Sequence, residues 1–208
     1  MALFHKATLV PSKTELLAGW VPAQPWCHDP AAAVEVIGAF RFDDPAGSTG
    51  IETHLVRVGD AVYQVPLTYR NDEVPGAAAA LVGTIEHSAL GTRWVYDALH
   101  DETYLIMLAG AAMTGQGEAL GMVEVDGRWV VAPANVRIEG GGWTGARVPV
   151  DGFEPVADDG TTSILRNDRF ELRFHRRVAA GPRPSMGLSA SWPDQDRPVL
   201  LASVAETG

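Results

Sequence analysis

Ile51-Glu-Thr-His-Leu-Val-Arg-Val-Gly-Asp-Ala-Val-Tyr-Gln-Val-Pro-Leu-Thr-Tyr69 is the stretch that decides the fold class. Polar and apolar residues interleave from Ile51 to Val58, Gly59-Asp60 interrupts them, and the pattern resumes from Ala61 to Tyr69. Interleaving of this kind is the period of a strand, whose successive side chains point to opposite faces. A two-residue Gly-Asp loop between two such runs predicts a hairpin. Pro66 cannot donate to a ladder, which predicts an edge position or a bulge.

Upstream, Ala32 to Phe42 reads as a long strand closed by an Asp43–Gly47 turn, and Leu81 to His87 reads as another, so an antiparallel meander is expected. Ser12 with Glu15 makes a capping box, which predicts a short helix from about Lys13 to Ala18 ended by Gly19. Pro22 and Pro25 exclude regular structure between Trp20 and Trp26, and the two indoles are expected to fold back onto the sheet.

Downstream, Gly91 to Asp97 leads into a helix over Asp101–Met113, with Asp101 as its cap, Gly115 as its stop, and Leu105, Leu108, Ala109 and Ala112 as an apolar stripe. Strands are expected at 119–125 and 128–132 across Asp126-Gly127, then at 135–139, 146–150 and 153–156. Gly140-Gly141-Gly142 reads as a loose turn without the Lys-Ser/Thr of a phosphate loop. A last hairpin, Thr162 to Arg177, turns at Asn167-Asp168 and sets Phe170, Leu172 and Phe174 against Glu171, Arg173 and His175. Pro184 to Pro193 reads as coil, and Val199 to Val204 as a final apolar run. The fold class expected is α+β, mostly antiparallel sheet with few helices, divided near residue 88 into segments 1–88 and 89–208.

Composition bounds the function. Hydrophobic residues at 46% and charged residues at 20% exclude wholesale disorder. A net charge of −10 argues against nucleic acid as a partner. No apolar run reaches the roughly 20 residues of a membrane helix, and the first residues lack the pattern of a secretory signal. Cys27 stands alone and fits a reducing cytoplasm. Neither Cys27-His28-Asp29 nor Glu86-His87-Ser88 has the surroundings that a metal site or a hydrolase triad needs. Arg166, Arg169, Arg173, Arg176, Arg177 and Arg183 crowd against only Asp168 and Glu171. They make either a solvated strand face or a small anion site.

Leu16-Leu17-Ala18-Gly19-Trp20 with Gln24-Pro25-Trp26, then Tyr63-Gln64-Val65-Pro66-Leu67, then Trp94-Val95-Tyr96-Asp97, then Thr162–Arg177 with Gly181-Pro182-Arg183-Pro184, follow one another in an order that resembles the N-terminal region of the maltokinase family. The resemblance implies a cystatin-like cap subdomain followed by a β-rich intermediate subdomain and the hairpin that opens a kinase lobe. It also implies that Arg173 stands where these kinases carry a lysine for nucleotide phosphates, a change that is not conservative. Only Val178–Gly208 follow that hairpin, too few residues for the catalytic lobe and its metal-binding carboxylates, so phosphoryl transfer is not expected of this chain alone. The expectation is a non-catalytic protein without metal or cofactor, acting by interaction or regulation through a protein partner or as a homo-oligomer, in trehalose, maltose or glycogen metabolism. The alternatives are half of a split sugar kinase completed by a second chain, and a sugar- or nucleotide-binding module. In both, Arg173, Arg176 and Arg177 are the candidate anion or nucleotide ligands.

Overall fold

The computed structural model describes residues 2–3, 7–195 and 197–207. The first half contains β1 (Ala2–Leu3), β2 (Leu9–Val10), α1 (Lys13–Trp20), β3 (Val34–Asp43), β4 (Gly50–Val58), β5 (Ala61–Arg70), β6 (Leu81–His87) and β7 (Gly91–Asp97). There follow α2 (Glu102–Thr114), β8 (Gly121–Val125), β9 (Arg128–Val131), β10 (Arg137–Gly140), β11 (Glu154–Asp158), β12 (Thr162–Arg166), β13 (Phe170–Ala179), β14 (Gly187–Ser191) and β15 (Val199–Glu206). The α+β, mostly antiparallel class is the one observed.

Strands β3, β4, β5, β7, β6 and β2 pair in that order, all antiparallel. The Gly59-Asp60 turn joins β4 to β5 as predicted, with Gly59 at φ +56°. A second antiparallel set runs β10, β14, β15, β13, β12, β11. The two sets meet on β5: Val62 and Tyr63 pair with Val178 and Arg177 of β13, and Leu67 to Arg70 pair with β7. Pro66 therefore sits on neither an edge strand nor a bulge. It lies between the two pairings, where one edge of β5 changes partner and a missing N–H costs least.

One face of the β3–β5 strands packs Val56, Val58, Tyr63, Val65 and Leu67 against Leu17 of α1 and against Val21 and Trp26. The indoles fold back as expected, Trp26 lying 5.3 Å from the Tyr63 ring. The capping box is formed, but α1 runs on to Trp20 and Gly19 lies inside it, because the following 3-10 turn continues the right-handed backbone. The other face presents Phe40, Phe42, Ile51 and Leu55 to α2 and to the buried side of the second sheet. Asp101 caps α2, accepting from the Thr103 N–H, and Gly115 ends it at φ +72°.

Gly91–Asp97, which leads into α2, is itself strand β7, paired to β6 and β5. Three readings are corrected. Residues 146–150 form no strand. Within Pro184–Pro193, Gly187–Ser191 is the buried strand β14; its Gly, Ser and Ala give no amphipathic signal, yet their small size suits packing under α2. The triple glycine is not loose: a Cβ on Gly140 would fall 1.9 Å from the Ala111 carbonyl oxygen, and one on Gly142 would fall 2.5 Å from that of Ala112. Gly142 N–H donates to the Ala112 carbonyl at 2.9 Å, so this segment lies along the end of α2 where any side chain would be excluded.

Candidate functional site

Along β13, Phe170, Leu172, Phe174, Arg176 and Val178 are buried, whereas Arg173 and Arg177 are exposed. The pleat thus divides the three candidate arginines. Arg173 and Arg177 share the outer face, about 13 Å apart along the strand, and Arg176 points the opposite way. Arg173 Nη2 lies 2.6 Å from Glu171 Oε1, and Arg166 Nη2 lies 2.5 Å from Glu171 Oε2, so one carboxylate holds two guanidinium groups. The bond from Arg166 is the main cause of the lowered Glu171 pKa; burial opposes it and Arg173 adds to it. Beside them burial, and then the Arg173 charge, push the His175 imidazole down.

Arg176 is bound into the interior. Its Nη2 donates to Asp97 Oδ2 at 2.8 Å and its Nη1 to the Gln64 carbonyl at 3.3 Å. Its guanidinium lies 4.9 Å from the Trp26 ring centre and 5.1 Å from that of Phe174. Gln64, wholly buried, donates from Nε2 to the carbonyls of His175 and Leu201 at 2.7 and 2.6 Å. Tyr63 and Gln64, which carried part of the resemblance, thus help to hold the first sheet to the second.

Sequence reasoning missed a second polar cluster. Glu52 on β4 lies opposite Arg41 of β3 and Leu67 of β5. Its carboxylate pairs with the Lys13 ammonium, lies 3.4 Å from His54 Nε2, and accepts from the Tyr69 hydroxyl at 3.3 Å. Burial alone would raise the Glu52 carboxyl, but His54 and Lys13 hold it far below the usual carboxylate range. Burial first, and then the Glu52 charge, push the Tyr69 phenol well up. A signal was present in the sequence: Glu52 and His54 fall on the same strand face as the buried Val56 and Val58, so one face turns from apolar to ionic part-way along. Among the described residues no three His, Cys, Asp or Glu side chains group as metal ligands, and no helix is long and apolar enough to cross a membrane.

The segment from the first indole, through the β3–β5 meander and the Tyr63–Leu67 junction, to the start of α2 is the part that comparison identifies. Residues 20–101 match the maltokinase N-terminal cap domain. The matched stretch takes in β3 to β7 and ends at Asp101, the cap of α2. No curated protein matches the chain. A solved structure of glucosamine kinase in complex with glucosamine, ADP and inorganic phosphate is similar over 95% of this chain and 41% of its own, at 18% identity and a TM-score of 0.48. The chain therefore spans about two fifths of that kinase's length.

Proposed function

We propose that these residues form a non-catalytic cap module that works through protein contact, in a maltokinase-type carbohydrate kinase system. The carrying observation is that the three arginines do not converge. Arg176 is consumed by Asp97 inside the junction, and Arg173 is held on an open sheet face by Glu171. An anion pocket needs donors aimed at one point; a row of paired charges on an exposed hairpin suits a protein surface. The cap match over 20–101 supports the link to maltokinase-type enzymes. The partner is another protein or a second copy of this chain. Purified protein incubated with ATP and maltose is expected to form no sugar phosphate, and light scattering after size-exclusion chromatography reads its association state. Stoichiometric turnover of ATP with any saccharide overturns this reading.

A second reading, half of a split sugar kinase, draws on the half-exposed Arg173 side chain. It requires that a partner chain restore ATP turnover and that Arg173→Ala in the complex abolish it.

A further inference from the structure

Strands β8 and β9 form a hairpin that belongs to neither hydrophobic core. Every residue of β9 is exposed. Of the nine most exposed large apolar side chains among the described residues, five (Leu120, Val125, Trp129, Val130 and Val131) fall in this short stretch. Apolar residues scattered singly over a surface mean little, but a contiguous group marks an interaction site. Strand β1 borders β8, and among the described residues no strand lies beside the outer edge of β9.

Edges elsewhere are blunted. On β3 the Ala39 N–H donates to Asn135 Oδ1 at 3.1 Å, and the Arg41 carbonyl accepts from the Ala119 N–H at 2.8 Å. On β10 the Ile138 N–H donates to Glu118 Oε2 at 2.9 Å. Strand β11 carries Pro155 and a register shift beside it. Strand β9, Arg-Trp-Val-Val, has none of these devices: it holds no proline, its register with β8 is unbroken, and Arg128 is its one charge. An edge of that kind is a template for another strand.

Backbone phase selects the strand. The Ala132 N–H donates to the Gly121 carbonyl at 2.9 Å, and backbone groups alternate sides along an antiparallel strand. Val130 and Arg128 therefore also face β8, while Trp129 and Val131 turn their N–H and C=O outwards. We infer that this edge pairs antiparallel with the same edge of a second copy of the chain, about a two-fold axis at Val130. In that register Trp129 of each copy exchanges both backbone hydrogen bonds with Val131 of the other, and the two Val130 residues face one another as a pair without them. Each indole then lies beside a β-branched side chain on the same face, a favourable cross-strand pair. Arg128 falls opposite Ala132, so no like charges meet, and Pro133, which has no N–H, ends the ladder. Two three-stranded sheets become one of six strands. So short a contact buries less than the about 1,200 Å² of a standard interface, so the dimer is weak, with a dissociation constant of about 10–100 μM. The net charge of −10 on each copy opposes association, so added salt strengthens it. The inference rests on the contact-module reading and names the partner.

Sedimentation velocity of the 208-residue protein, from about 10 μM to about 1 mM, tests it. The protein is expected to pass from monomer to dimer over that range. Val131→Pro removes an outward N–H that bonds nothing within the hairpin, so it should weaken dimerisation at least about tenfold and leave the melting temperature of the dilute protein unchanged. Val130→Cys reads the register directly. At the two-fold axis its Cα atoms would lie about 4.5 Å apart, within reach of a disulfide, and mild oxidation should give a covalent dimer. Val125→Cys is as exposed but sits on β8, away from the axis, and should give none; Cys27 is buried and does not compete. The inference fails if the protein stays monomeric to about 1 mM, if Val131→Pro associates as the parent does, or if the two cysteine variants cross-link alike. A monomer that captures a different protein would sink it and leave the contact-module reading standing, whereas ATP turnover with a saccharide would sink that reading and leave the self-pairing to these measurements.

Discussion

Arg176 Nη2 lies 2.8 Å from Asp97 Oδ2, with both side chains nine-tenths or more removed from water. The pair joins β13 to the end of β7, elements 79 residues apart in the chain. Such a pair adds little over an apolar contact while intact, but removing one partner strands a buried charge. Arg176→Ala is therefore expected to cost about 3 kcal/mol of unfolding free energy. Arg173→Ala, which breaks a half-exposed pair, should cost under about 0.5 kcal/mol. Urea denaturation of both variants measures the contrast; equal losses would mean that the burial argument is wrong.

Gln64 bridges two carbonyls of the second sheet with a single amide. Gln64→Leu keeps the bulk and leaves both acceptors unmatched, for an expected loss of about 2 kcal/mol. Hydrogen exchange should then quicken at Val62 and Tyr63, where β5 meets β13, before it quickens in the β4–β5 turn. Uniform quickening across the sheet would count against a junction role.

Acid stability isolates Glu52. Its carboxyl is held below the ordinary glutamate value of about 4.5 in the folded chain, so the unfolded chain takes up the proton first as pH falls. The stabilisation is fully present above about pH 4.5 and is lost progressively as pH drops towards the folded pKa. Glu52→Gln is expected to lower stability by about 2 kcal/mol at pH 7 and to flatten the pH dependence below pH 4.5 by about one proton. Asp44 and Glu171 are also held low and supply a background common to both proteins. Parallel stability–pH curves for the two proteins would refute the assignment.

The Gly140 backbone runs against the end of α2, with no room for a methyl group. Gly140→Ala should cost about 3 kcal/mol or more, because backbone rather than a movable side chain must yield. Gly145→Ala, where nothing lies within 4 Å, is the matched control and should change stability by under about 1 kcal/mol. Thermal unfolding of the two variants separates them.

Local signals carried far. The Gly59-Asp60 and Asp126-Gly127 turns, the Ser12–Glu15 box and the Asp101 cap each involve residues a few positions apart, and all four were legible. What escaped was set by partners distant in the chain. Strand β14 is defined by β10, β15 and α2 rather than by its own Gly-Leu-Ser-Ala-Ser. Gly91–Asp97 was obscured by the helix that follows it, although its strand pairing is to β6 directly before. The arginine crowd was visible by count, but whether its members converge depends on the pleat, which assigns Arg176 and Arg173 to opposite faces. Glu52 was concealed because a charged residue inside a strand ordinarily reads as an outward position.

The divided edge of β5 bears on how the molecule comes apart. Phe40, Phe42, Ile51 and Leu55 lie within the segment that sequence comparison recognises, yet they are buried by α2 and by strands beyond it. The matched stretch is thus smaller than the stretch that can keep itself dry. Melting should proceed as one event, because neither half can leave without wetting the other's interior.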